Sequence, residues 1–241
     1  MAQDWKSEEI RRLVVMGEST VEGGGWLPDA KSQRWADVLA RLIEQAQGGP
    51  ITYVNAGIGA NAISPRSPGY ESSRKPSALE RYQKDVIAHR PDCFVVCYGL
   101  NDMRAAMDAR EFAEDLTTLV REVKAACQPL TVLTTVYHMT GWKWYALYDK
   151  GSSELTRVYN DVIREVAEAQ GCLVADVWAG EGGADWLIHD DGVHANRVGN
   201  LVIAHRVFEV LAQHCRGLSR RAQEEAEDTE WTRAARRWRS G

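Results

Sequence analysis

Ser19 lies in the segment VVMGESTVEGGGW, residues 14–26, where an apolar run ends in a glycine and an acid. A serine in this setting fits a phosphate-binding loop, a nucleophile or an ordinary turn. A phosphate-binding loop with the GxxxxGKS or GxxxxGKT pattern needs a lysine, and none follows Gly17 before Lys31. A GxSxG nucleophile elbow needs a second glycine where Val21 stands. A nucleophilic Ser19 would therefore depend on partners from other segments.

Three further segments supply groups that could serve such a nucleophile, which needs a base, an acid that orients the base, and oxyanion donors. His194 lies in DGVH, three residues after Asp191, so one turn carries both base and acid. Asn101, in GLND, offers a side-chain amide, and the loop at residues 57–61 offers backbone N–H groups. These residue types predict serine-based acyl transfer.

Other kinds of site fit these segments less well. The segment GIGANA, residues 57–62, fits a GxGxxA dinucleotide fingerprint, but Pro65 and Pro68 follow where a helix should begin. A cluster of metal-ligating side chains is too crowded for a standard zinc motif. Its members are His189, Asp190, Asp191 and His194.

Each candidate residue also has a purely structural interpretation. Ser19 could be a helix N-cap or turn serine, and Asn101 with Asp102 could form a turn. Asp191 could cap the last helix while His194 lies on the surface. The four segments together favour the catalytic interpretation over these alternatives.

The elements that would position these groups are indicated by five apolar runs. The runs are LVVMG (13–17), TYVNAG (52–57), CFVVCYG (93–99), TVLTTVY (131–137) and CLVADVW (172–178). Continuous apolar runs suit strands covered on both faces, and the segments between them have helical spacing. This alternation predicts a three-layer, doubly wound α/β fold with a parallel sheet. The functional crevice of such folds lies beyond the carboxyl ends of the strands.

The chain contains four sequence blocks that, in their order, resemble those of the SGNH hydrolases, also called GDSL-type esterases and lipases. They are Gly17-Glu18-Ser19, NAGIGAN (55–61), GLND (99–102) and DGVH (191–194), and the resemblance runs from about residue 12 to 215. It implies that Ser19 is the nucleophile, His194 its base and Asp191 the third triad member. It also implies a flavodoxin-like five-stranded sheet in the order 2-1-3-4-5, with no metal and no organic cofactor.

The resemblance further implies an oxyanion hole made by the Ser19 N–H, a second-block N–H and the Asn101 side chain. The family's oxyanion glycine falls on Ala60, which keeps the N–H but is strained if its φ is positive. Gly59 is the other candidate donor. The family's Asp before the serine is replaced by Glu18, which adds one methylene.

An aromatic segment, HMTGWKWYALYDKG at residues 138–151, follows the fourth run. We expect it to line a substrate pocket that suits an acyl chain, an aryl ester or a sugar ring. The predicted pocket residues are Trp26, His138, Trp142, Trp144 and Tyr145.

Composition narrows the class of protein. The chain has 241 residues, 44% of them hydrophobic, and a net charge of −5, which gives no reason to expect nucleic acid. The absence of a long apolar run, of a signal-peptide core and of clustered cysteines predicts a cytoplasmic location without a membrane span. Residues 1–215 are predicted to form one domain. Residues 216–241 are predicted to form a charged helical or flexible tail that could support a homo-oligomer.

These patterns predict a serine esterase that cleaves carboxylic esters of a small molecule, an acylated metabolite or a sugar through an acyl-enzyme on Ser19. Two alternatives stay open. An acyltransferase would use another hydroxyl in place of water, and a catalytically weak binding protein could share the fold.

Overall fold

The computed structural model describes residues 3–227 and 229–239 of the chain. Five residues lie outside the described part: Met1, Ala2, Asp228, Ser240 and Gly241. The first two belong to the predicted domain 1–215 and the other three to the predicted tail 216–241. The boundary between the two regions is described and directly follows the last long helix, which ends at His214.

Five parallel strands form one sheet in the order β2-β1-β3-β4-β5, which confirms the predicted order. The strands are β1 Arg12–Gly17, β2 Thr52–Gly57, β3 Cys93–Cys97, β4 Leu130–Thr134 and β5 Leu173–Ala175. β1 pairs with β2 on one side and β3 on the other, and five of its six residues are buried. Such burial is expected of a continuous apolar run covered on both faces. Because all the strands are parallel, their carboxyl ends share one edge of the sheet.

Helices connect the strands and cover the sheet, as the three-layer prediction requires. They are α1 Ser19–Glu22, α2 Ala30–Gln33, α3 Trp35–Gln47, α4 Tyr70–Ser73, α5 Ala78–Asp85, α6 Leu100–Arg104, α7 Ala109–Cys127, α8 Ser153–Gln170, α9 Val177–Glu181, α10 Arg197–His214, α11 Arg220–Glu227 and α12 Glu230–Arg239. In one layer α3 packs on α10, and in the other α7 packs on α5 and α8.

Capping side chains define where the long helices begin. Asp108, Ser152 and Asn196 accept hydrogen bonds from backbone N–H groups in the first turns of α7, α8 and α10, respectively. The Asn196 cap starts α10 directly after the DGVH segment. The turn that carries His194 is therefore held against a defined helix start.

Two glycines allow α1 to begin directly against the sheet edge. A Cβ on Gly57 would lie 2.1 Å from the backbone nitrogen of Glu22, and one on Gly17 would lie 2.5 Å from the carbonyl oxygen of Cys97. A larger residue at Gly57 would push β2 away from α1, and one at Gly17 would push β1 away from β3. The approach keeps Ser19, the first residue of α1, at the carboxyl end of β1.

The C-terminal segment begins by packing on the rest of the chain. Leu218 is buried, and Arg220 forms an ion pair with Glu9 at 2.8 Å. Further on, Trp231 and Trp238 on α12 are 72% and 67% exposed. None of the described helices combines the length and apolar character needed to cross a membrane. The cytoplasmic location and an oligomer contact through the tail stay predictions.

Candidate active site

Ser19, His194 and Asp191 form a chain of hydrogen bonds at the carboxyl edge of the sheet. Ser19 Oγ lies 2.8 Å from His194 Nε2, although the residues are 175 positions apart in sequence. His194 Nδ1 lies 2.7 Å from Asp191 Oδ2. The second oxygen, Oδ1, accepts the backbone N–H groups of Val193 and His194, each at 2.9 Å. Asp191 thus orients both the imidazole and the turn that carries it.

The pKa values of the acid–base pair are shifted in the directions that a proton acceptor needs. Burial lowers the pKa of His194 below its ordinary 6.5, although the hydrogen bond and the charge of Asp191 raise it. Burial acts to raise the pKa of Asp191, but hydrogen bonds from His194 and Val193 outweigh it and the pKa is lowered. At neutral pH the imidazole is therefore neutral and the carboxylate ionised, so Nε2 can accept the Ser19 proton.

Glu18 connects the serine segment to the GLND segment. Its side chain is buried, and Oε1 accepts the backbone N–H groups of Asn101 at 3.1 Å and Gly99 at 3.3 Å. Burial, and next the charge of Asp102, raise the pKa of this carboxyl well above its ordinary value. Glu18 thus holds the backbone of Asn101, which lines the same pocket as Ser19.

The predicted oxyanion donors differ in how far they are already engaged in hydrogen bonds. Asn101 Nδ2 donates one hydrogen bond to the Asn61 carbonyl oxygen at 3.2 Å, which leaves its second N–H. The Gly59 N–H donates to Glu22 Oε2 at 2.7 Å and is occupied. Ala60 has φ 53°, in the left-handed region, and lines the same pocket as Ser19 and Asn101. The geometry therefore favours Ala60 over Gly59 as the second-block donor.

A pocket of 250 Å³ opens at Ser19. Its lining residues are Ser19, Ala60, Asn101, Arg104, Tyr145, Tyr148, Val193 and His194. A larger groove of 680 Å³ runs along α10 and contains no triad residue, so the smaller pocket is the one associated with the chemistry.

The five predicted pocket residues occupy four different places. Tyr145 lines the pocket, while Trp26 stacks on the His194 imidazole with ring centroids 3.6 Å apart and planes 9° apart. Trp144 packs against the turn that precedes His194 and is half exposed. His138 and Trp142 form an aromatic cluster with Trp178, and neither lines the pocket. The prediction that His138 and Trp142 line the pocket is therefore not met by the lining residues.

Within residues 189–194, His189, Asp191 and His194 form hydrogen bonds with one another. Besides the Asp191–His194 pair, His189 Nδ1 accepts the Asp191 backbone N–H at 3.2 Å. Within residues 3–227 and 229–239, no group of three or more His, Cys, Asp or Glu side chains is arranged to hold a metal ion. The geometry here is that of an acid–base pair.

A sequence profile of the GDSL-like lipase/acylhydrolase family matches residues 15–202. The chain belongs to this family. The match confirms both the predicted family and the prediction of a serine-type carboxylic ester hydrolase. A search of curated proteins finds no match.

Solved structures with the fold of this GDSL-like hydrolase include the lipase/acylhydrolase from Enterococcus faecalis, with a TM-score of 0.65 and 22% identity over 84% of this chain and 95% of that one. The acetylxylan esterase from Geobacillus stearothermophilus has a TM-score of 0.64 and 20% identity over 86% and 95%. An α/β hydrolase enzyme from the metagenome of Lake Arreo, Spain, has a TM-score of 0.63 and 23% identity over 87% and 96%. These similarities confirm the three-layer fold.

Sequence reasoning missed three lining residues of the hydrolase pocket: Arg104, Tyr148 and Val193. Arg104 follows Asn101 by three residues, and helical spacing puts such pairs on the same side of a turn. That spacing was a usable signal. Tyr148 belongs to the predicted aromatic segment, and Val193 stands inside the DGVH block.

Proposed function

We propose that this GDSL-like hydrolase cleaves a small carboxylic ester, such as an acylated metabolite or sugar, through an acyl-enzyme on Ser19. The observation that carries the proposal is the continuous hydrogen-bonded chain from Ser19 Oγ through His194 to Asp191. The pocket that opens at Ser19 supports a small acyl group.

The reaction has two stages. His194 Nε2 takes the Ser19 proton as Oγ bonds to the ester carbon, and the carbonyl electrons move onto the oxyanion. The backbone N–H groups of Ser19 and Ala60 and the Asn101 amide stabilise that charge. Collapse breaks the bond to the alcohol oxygen, which takes the proton from His194. Water then repeats the sequence on the acyl-enzyme and releases the carboxylic acid.

The test is fluorophosphonate labelling of the purified protein, with the adduct mapped by mass spectrometry. We expect one adduct on Ser19 that is lost in Ser19→Ala and in His194→Ala. His205→Ala is the matched control and should label like wild type, because His205 is exposed on α10 and does not line the pocket. A folded protein that stays unlabelled, or labelling that persists in His194→Ala, would contradict the mechanism.

Substrate choice is tested with an ester panel. The panel contains short-chain and aryl esters and also acetylated xylo-oligosaccharides, because an acetylxylan esterase shares the fold. Added alcohols separate hydrolysis from acyl transfer, since a transferase would yield a new ester. Turnover of every ester at the same rate in Ser19→Ala as in wild type would overturn the proposal.

A further inference from the structure

Arg104 is the pocket residue that the proposed mechanism leaves without a role. It ends α6, three residues after Asn101, and lines the pocket together with Ser19 and His194. The residue is only 3% exposed, so bulk water does not solvate its charge. Burial lowers the pKa of Arg104, as expected when a cation is held away from water.

The Arg104 guanidinium is only partly engaged by the protein. Its hydrogen bonds to described residues come from Nη2, which donates to the carbonyl oxygens of Trp144 at 2.9 Å and Gly141 at 3.5 Å. The buried Nε–H has no acceptor within residues 3–227 and 229–239. Glu18 accepts hydrogen bonds from Asn101 and Gly99, and its raised pKa favours the neutral form, so it is not a counter-ion for the guanidinium. A buried cation with an unused donor is costly unless a partner arrives.

Two tyrosines flank this cation but do not compete with it for a ligand. The rings of Tyr145 and Tyr148 have centroids 5.7 Å and 5.9 Å from Arg104 Cζ. Their hydroxyls already donate to the carbonyl oxygens of Asp191 and Gly69. Arg104 therefore remains as the cationic donor among the residues that line the pocket.

We propose that Arg104 is a specificity-determining residue that binds a carboxylate on the acyl part of the substrate, so that half-esters of short dicarboxylic acids are preferred. The planar fork of an arginine matches the two oxygens of a carboxylate and binds them more strongly than neutral oxygens. Arg104 lies on the same turn as Asn101, the donor to the acyl carbonyl, whereas the alcohol departs toward His194. The proposal rests on the function proposed above, because it takes Ser19 as the nucleophile.

The competing role for Arg104 is structural. It holds the segment after β4 through the two carbonyl oxygens, and its own carbonyl oxygen accepts the Lys150 N–H at 3.0 Å. A purely structural arginine would affect charged and neutral esters alike. A specificity residue would change the ratio between them.

The test compares kcat/KM for ethyl hydrogen glutarate with that for ethyl pentanoate, its neutral counterpart with the same acyl carbon count. We expect wild type to prefer the half-ester and Arg104→Met to lower the ratio about tenfold to a hundredfold. Arg104→Lys should retain part of the preference, because it keeps the charge but loses the fork. Arg110→Met is the matched control for the loss of one positive charge, since the Arg110 side chain is 89% exposed. Equal loss on both esters in folded Arg104→Met would overturn the proposal.

A second series places the carboxylate on the alcohol side, with acetylated hydroxypropanoate compared with propyl acetate. A preference confined to this series would overturn the acyl-side assignment. Calorimetric titration of ethyl hydrogen glutarate into Ser19→Ala and into Ser19→Ala/Arg104→Met measures binding without turnover. Binding lost only in the double variant supports the Arg104 site even if no ester is cleaved. Hydrolysis of neutral esters without such binding would leave the proposed function standing and overturn this inference.

Discussion

Single residues at the site carry separate, identifiable tasks. Asp191 divides its two oxygens between the His194 ring and the backbone of its own turn. Asn101 divides its amide between the Asn61 carbonyl and the pocket. In each residue, one hydrogen bond within the protein fixes the orientation of the side chain. Asp191 then has Oδ2 for the imidazole, and Asn101 has its second amide N–H for the pocket.

Asn101→Ala is expected to remove one oxyanion donor. We predict a loss of about 2.7–4 kcal/mol of transition-state stabilisation, seen mainly in kcat, because the donor acts on charge that develops in the transition state. Steady-state kinetics with a neutral ester measure the effect. Thermal unfolding of the variant controls for the lost bond to Asn61. A kcat like that of wild type in the folded variant would remove Asn101 from the oxyanion hole.

The acid limb of the activity profile should report His194. Because burial lowers the pKa of His194 below 6.5, the active neutral form should persist to lower pH than for a solvent-exposed histidine. The kcat/KM profile of the free enzyme is expected to fall as pH drops, with its midpoint below 6.5. A midpoint above that value in an enzyme that remains folded would contradict the assignment of His194 as the base.

At the scale of elements, two glutamate side chains, Glu18 buried and Glu22 exposed, tie together the loops that follow neighbouring strands. Glu18, after β1, holds the start of α6, after β3, through two backbone N–H groups. Glu22 in α1 holds the loop after β2 through the Gly59 N–H. Ser19 and the candidate oxyanion donors therefore keep their spacing, because the loops that carry them are joined directly.

Glu18→Gln tests the first of these ties. The raised pKa of Glu18 means that the folded state favours its protonated form, so stability is lost as pH rises above the ordinary value of 4.5. Glutamine cannot ionise and keeps an oxygen for the two N–H groups. We therefore expect urea unfolding to show a gain in stability for Glu18→Gln that is larger at about pH 8 than at about pH 5. An equal difference at both pH values would mean that Glu18 does not titrate in this way.

Ala60→Gly tests the loop after β2. Left-handed backbone costs a non-glycine residue about 1–2 kcal/mol, and glycine in return loses about 0.5–1 kcal/mol of chain entropy. We predict unchanged or slightly higher stability, with kcat retained because the N–H remains. Ala106→Gly is the matched control, since Ala106 has φ 64° and does not line the pocket. Strong loss of kcat in Ala60→Gly alone would show that the methyl group itself shapes the site.

At the scale of the whole molecule, the segment that follows α10 meets the segment that precedes β1. The segment after α10 packs on the N-terminal segment through the Trp5 N–H, which donates to the His214 carbonyl oxygen at 2.8 Å, and through the Arg220–Glu9 ion pair. The described residues of α11 and α12 do not line the active-site pocket. We therefore expect the first part of the tail to contribute to stability and α12 to contribute nothing to catalysis.

Truncation tests this separation. Removing residues 229–241 should leave kcat/KM near that of wild type, because α12 contributes nothing to the pocket lining. Removing residues 216–241 should lower the unfolding temperature, because Leu218 and the Arg220–Glu9 pair are lost. Light scattering on both proteins tests the predicted oligomer contact. A large loss of activity in the shorter truncation would place part of the tail at the site.

The sequence alone determined the layer architecture and the four blocks of the site. Strand positions follow from continuous apolar runs, which are local, and the topology follows from the handedness of parallel crossovers. The triad residues could be named because residue type and order along the chain limit the choice. These candidates could be named before any distance was known, and their catalytic roles stay a prediction.

Only the tertiary structure decided the details that depend on contacts between distant loops. In the folded chain the Gly59 N–H donates to Glu22, 37 residues away. Ala60 therefore remains as the candidate second-block oxyanion donor. The tertiary structure turned His138 and Trp142 toward Trp178 and brought Arg104 into the pocket. Residue type does not determine these outcomes, because each depends on which side chains from other segments compete for the same space and the same hydrogen bonds.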